Sequence, residues 1–94
     1  MDEEMQEMES EPITQVLILT NQLILISEVQ EILADIGQPD CRLINPYVIL
    51  ESGELSPWLS KFTNETEFML SSDKILTLLE PTGTLLDNYL ELTK

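Results

Sequence analysis

The chain has 94 residues, 18 acids against 4 bases, and a formal net charge of −14. It is also 43% hydrophobic, unlike an acidic disordered tail, so it should fold, and its length suits one domain. With no His and one Cys it lacks the usual neutral-pH acid–base group, the commonest metal ligand, a thiolate cluster and an internal disulfide.

Residues 1–12 read as an acidic arm. Asp2, Glu3, Glu4, Glu7, Glu9 and Glu11 supply six acids and no base, and Pro12 closes the segment. Met1, Met5 and Met8 share one helical face, so the arm is a short helix or a frayed tail. It has neither the basic start nor the apolar middle of a secretory signal. No run reaches the ~18 apolar residues of a membrane span. Asn64-Glu65-Thr66 fits the glycosylation pattern, which carries no weight without such a signal.

The body, 13–94, reads as one strand-rich domain. Ile13–Thr20 is short, apolar and β-branched, and Leu23–Ile32 repeats that character after Asn21-Gln22, so the two predict a hairpin. Residues 23–34 also fit one amphipathic helix, although their β-branched content favours a strand. Gly37-Gln38-Pro39-Asp40 is a turn cluster. Cys41–Leu50 is a third strand, and Pro46 marks it as an edge position or a bulge. Residues 51–66 form a variable loop containing Trp58 and Phe62. Glu67–Leu70 and Ile75–Leu79 are the fourth and fifth strands, joined by the Ser71–Lys74 turn. Thr84-Leu85-Leu86-Asp87 resembles a capping box and opens a helix over 84–92, with Leu85, Leu86, Tyr89 and Leu90 on one side.

Val16–Leu19, Leu23–Ile26 and Ile75–Leu79 are almost continuous apolar runs, as in strands covered on both faces. A sheet of ~80 residues has too little material to cover both of its faces. Ile75–Leu79 carries no charge and would be an unprotected edge. Pairing of that edge with another subunit answers both problems. The alternative is a monomer that hides these residues under its arms.

Five short strands, a break after the third and a terminal helix resemble the Sm-like (LSm) family. Leu23–Ile26, Asn45-Pro46, Pro57-Trp58 and Lys74-Ile75 follow the order seen in the small Sm-like proteins of cyanophages, and the likeness covers about residues 13–90. It implies a mainly β fold, a bent SH3-like five-stranded antiparallel barrel with short N- or C-terminal helices. The fourth strand would pair with the fifth of the next subunit to close a ring of five to seven copies. Phe68, Met69, Leu70, Ile75, Leu76, Thr77 and Leu78 would then form the subunit interface.

The same resemblance implies single-stranded RNA near the pore. Ile44-Asn45 falls on the family's hydrophobic–Asn pair, Asp40 on its preceding acid, and Lys74 in the turn that carries its basic residue. Arg42, close to Asn45 in sequence, would add a phosphate or base contact, or would pair with Asp40. The chain departs from the family at Leu43, where an aromatic stacker is common, and at Ile75, where Gly follows the basic residue. Trp58 and Phe62 form a base platform or plug the barrel. Cys41 is a plain half-buried thiol, or one activated by Arg42. No EF-hand or HExxH spacing is present, so no metal or other cofactor is expected. No nucleophile–base pair suggests an enzyme. The expected function is an RNA-binding or RNA-chaperone ring. The alternative is an acidic protein-interaction ring without nucleic acid. The expected location is the cytoplasm, of a host cell if the chain is of phage origin.

Overall fold

A computed structural model describes residues 11–94. Apart from Glu11 and Pro12, the arm and its methionine face lie outside the described residues. The chain order is β1 (Ile13–Leu19), β2 (Ile24–Glu31), β3 (Cys41–Ile49), β4 (Leu55–Pro57), β5 (Glu67–Leu70), a 3-10 turn (Ser72–Lys74), β6 (Ile75–Leu79) and helix α1 (Gly83–Thr93). The protein is mainly β, an open antiparallel sheet of six strands with one C-terminal helix. None of its described helices is long and apolar enough to cross a membrane.

The first hairpin forms as expected, and residues 24–31 are strand rather than helix. Its loop is three residues, not two. Gln22 N donates to the Leu19 carbonyl, and Gln22 itself adopts φ 72°. Asn21 Oδ1 accepts from Leu23 N (3.1 Å), which holds that left-handed residue in place.

β3 lies against β2 on one side and against two short strands on the other. This corrects the expectation of five strands. Residues 51–57 are not all loop, because Gly53 (φ 92°) permits a tight return from Leu50 into β4. β5 and β6 do not pair with each other. They follow one another in sequence, yet β5 pairs with β3 and β6 with β1, at opposite ends of the sheet. The order is β4 or β5, then β3, β2, β1, β6.

The centre of β3 is a bulge, which resolves the two readings of Pro46. Ile44 pairs with Glu28 and Tyr47 with Ile26, so Asn45 and Pro46 together oppose Ser27. Asn45 takes φ 54°, a conformation Asn tolerates better than most residues. The extra residue switches the parity of β3. Cys41, Leu43 and Val48 consequently all meet the same core, with Leu17, Leu19, Leu25 and Val29.

The displaced ladder at the bulge needs other partners, and Tyr89 supplies them. Its hydroxyl donates to the Asn45 carbonyl (2.8 Å), lies 3.1 Å from the Ile44 carbonyl, and accepts from Glu28 N (3.3 Å). The Tyr89 ring meets Tyr47 edge-on at 5.8 Å and is fully buried. Ser27, also fully buried, has its hydroxyl 3.0 Å from the Ile44 carbonyl. Helix α1 is therefore pinned through one residue. Its cap is Thr82, whose Oγ1 accepts from Leu85 N, two residues before the expected box. Leu85 and Leu86 are half-buried, but Leu90 is exposed, against expectation.

The sheet is strongly curled. Ser72 N donates to Asp40 Oδ1 (2.8 Å), and Thr20 N donates to the Lys74 carbonyl (2.9 Å). Asp40 adjoins the end of β2, because Ile32 N donates to its carbonyl, whereas Thr20 lies in the loop before β2. A strand of eight residues spans about 25 Å, and two residues of turn reach at most ~7 Å. A flat sheet could not bring both ends to one turn. The curl also lets Leu70 and Ile75, from the two outer strands, pack on one core cluster.

Tyr89→Phe keeps the ring and removes the hydroxyl, leaving buried backbone groups unpaired. Urea unfolding should show a loss of about 1–3 kcal/mol. Burial pushes the Tyr89 phenol up to about 12, ahead of its neighbours' charges. A raised pKa means that this contribution is intact below the ordinary value of ~10 and lost as pH rises towards 12. An alkaline titration of the folded protein should therefore show the Tyr89 phenolate forming only near the upper value.

Candidate functional site

Among the described residues β4, β5 and β6 are each paired on one side only, and β5 and β6 lie at opposite ends of the sheet. β6 hydrogen-bonds to β1, and β5 to β3. β6 carries no charge, and β5 carries only Glu67 at its start. Leu76 is 64% exposed and Leu78 44%, with Thr77 exposed beside them. On β5, Met69 is 47% exposed while Phe68 and Leu70 are half-buried. Ile75 is half-buried against the core. The seven residues singled out from the sequence thus divide. Phe68, Leu70 and Ile75 are anchored in part by the protein's own interior, while Met69, Leu76, Thr77 and Leu78 face outward. β-edges of this kind are ready templates for another strand.

The Ser72–Lys74 turn joins these edges. Asp40 clamps it with both carboxylate oxygens, accepting from Ser72 N (2.8 Å) and from Ser72 Oγ (2.9 Å). These two hydrogen bonds hold the Asp40 carboxyl below the usual aspartate value. Lys74 is exposed and makes no ion pair among the described residues, and its carbonyl binds Thr20 N. Asp73 stands next to it on the same turn.

Arg42 is not the partner of Asp40, a correction to the pairing considered above. Its Nη1 donates to Gln30 Oε1 (2.9 Å), and its Nε lies 4.0 Å from Glu67 Oε1. Cross-strand register explains this: Arg42 is directly opposite Gln30 on β2, with Met69 opposite on β5 and Glu67 two residues along. Asp40 precedes the strand and is drawn to Ser72 instead. Asn45 serves the bulge through its backbone, donating to the Thr66 carbonyl (2.7 Å) and accepting from Tyr89. Its side-chain amide is left without a hydrogen bond among the described residues. No hydrogen bond or ion pair joins Arg42, Asn45 and Lys74 to one another.

Trp58 and Phe62 are separated. Trp58 packs on the core and meets Phe68 edge-on at 5.8 Å, whereas Phe62 is 83% exposed. The two rings therefore form no common platform. Cys41 is buried, and burial, then Asp40 and Glu31, raises its pKa, so the thiol is not activated. The described residues hold no cluster of metal-ligating side chains. The two features that sequence reasoning missed are the Asp40–Ser72 clamp and the role of Tyr89. Both join residues more than thirty positions apart, and neither has a local signature.

Residues 12–94 match a family of unknown function (DUF6561), and the chain belongs to that family. No curated protein matches it.

The clamp gives a pH prediction. Because the folded Asp40 pKa is depressed, its contribution is present above the ordinary aspartate value of ~3.9 and is lost as pH falls through the lowered value. The Ser72 amide resonance should titrate with a midpoint below that ordinary value. In Asp40→Asn this titration should vanish.

Proposed function

We propose that the protein is a ring-forming assembly module of Sm-like architecture, in which β5 of one copy pairs with β6 of the next. One observation carries the reading: the sheet order leaves these two strands, consecutive in the chain, as open edges at opposite ends of the sheet. The strand order and the curl support the bent antiparallel barrel that the sequence resemblance implies. The exposed leucines of β6 and Met69 of β5 gain cover in such a contact, at about 25 cal/mol per Å2 of apolar surface. A head-to-tail contact between two different edges is heterologous and closes by rotation. The resemblance sets the number at five to seven copies.

The two edges meet at the Ser72–Lys74 turn, so the turn forms the narrow side of each protomer and faces the ring axis. Each copy then brings Asp40, Asp73 and Lys74 to that axis, two acids and one base. Arg42 is committed to Gln30 and Glu67. This balance favours an interaction ring over a phosphate-binding pore. The observation on the side of RNA is that Lys74 has no ion pair among the described residues, and that second reading limits any RNA contact to a weak, salt-sensitive one at this turn.

Edge substitutions test the ring. Leu76→Lys blocks β6 and Met69→Lys blocks β5, and each variant alone should run as a monomer in light scattering. Mixed, they should form a one-to-one dimer, since each retains one competent edge. An isologous β6–β6 dimer would instead survive Met69→Lys and give no mixed species. The two functional readings differ in their salt response. Copies carrying −14 each repel, so assembly should strengthen with added salt, whereas oligo(U) binding should weaken. Oligo(U) binding at ~50 mM salt that is lost in Lys74→Ala would replace the interaction reading with the RNA one.

A further inference from the structure

A pocket of about 240 Å3 opens beside the β3 bulge. Tyr47, Trp58 and Phe68 line it, together with Asn45, Asn64 and Glu65. Two of its walls brace each other through the edge-on Trp58–Phe68 contact, and Tyr47 is held by Tyr89. The aromatic lining is therefore fixed by the same bulge that organises the sheet. The volume is below the ~300–1,000 Å3 of sites for drug-sized ligands, and it suits a single side chain.

The polar groups define the charge of the occupant. Glu65 is exposed, and its carboxylate has no ion pair among the described residues. The amides of Asn45 and Asn64 make no side-chain hydrogen bonds there, which leaves acceptors free. No Lys or Arg lines the pocket. An anion would meet a carboxylate in a chain of net charge −14. A cation would meet aromatic rings, a carboxylate and amide oxygens, all favourable to it. A guanidinium matches this set better than an ammonium, because it is planar, stacks on rings and carries five donors.

We propose that this pocket receives an arginine side chain from a basic segment of a partner protein. The chain's negative field steers such a segment towards it. The site goes beyond ring closure and does not depend on it.

Trp58 is the only tryptophan, so its fluorescence reports this pocket directly. Titration with acetyl-Gly-Gly-Arg-Gly-Gly-amide should give a saturable change. The citrulline counterpart, planar but uncharged, should bind about ten-fold more weakly. Glu65→Gln should weaken the arginine peptide about three-fold, and Glu65→Lys should abolish the response. Glu65 is exposed, so these variants retain the fold. The titration is run on the wild-type protein and on Leu76→Lys, which separates failure of the pocket from failure of the ring. The proposal is overturned by no saturable change, by an equal response to citrulline, or by an undiminished response in Glu65→Lys. Binding to Leu76→Lys alone would also overturn it, since a neighbouring copy would then cover the pocket.

Discussion

The hydrogen bonding around the β3 bulge is the constraint on which the rest depends. Asn45 and Pro46 oppose the single residue Ser27 and shift the side-chain alternation of the strand by one. Without that shift Val48 and Leu43 would point to opposite faces, and half of β3 would present the wrong residues to the core. The displaced ladder leaves buried polar groups, and the Tyr89 hydroxyl meets three of them. A buried phenol with that many partners is costly to move. It ties helix α1 to the middle of the sheet.

The same bulge divides the outer side of β3 between two strands. Residues 41–44 pair with β5, and residues 47–49 pair with β4. The segment between β4 and β5 is thereby pushed out as a loop. Trp58 turns back from it to the core, and Phe62 stays in solvent. The curl, held by the clamp of Asp40 on Ser72 and the bond from Thr20 to Lys74, brings the two outer strands to one short turn. Among the described residues a single helix is available, and it leaves the outer strands partly uncovered. The exposure of the apolar β6 thus reflects the size of the domain as much as its sequence.

Charge and hydrophobicity act at different places in this molecule. The acids of the described chain lie mainly on exposed positions, while β6 carries none. Two of the four bases, Arg42 and Lys94, are committed to carboxylates or an amide nearby. An electrostatic argument from net charge alone treats the surface as uniform. The local pattern is an uncharged edge, an aromatic pocket with one carboxylate, and a turn with two acids and one base.

Strand existence was legible because it rests on local composition. The β-branched runs of β1, β2 and β6, the glycine turns and the Pro46 irregularity each carry their signal within a few residues. The mainly β class and the helix at the end follow from the same signals. β4 was not legible, since three residues with a Pro have no periodicity to read. Pairing was not legible either. That β5 lies against β3, and that Arg42 meets Gln30 rather than Asp40, depends on register between segments far apart in the chain. Lys74 could be seen as one of few bases, yet only the folded turn showed it beside the Asp40 clamp. The sequence by itself determined five of the six strand segments and the uncharged apolar character of β6, because propensity and charge are local properties. The tertiary structure alone decided the bulge parity, the Tyr89 anchor, the open edges and the aromatic pocket, because each is a contact between residues that only the curl of the sheet brings together.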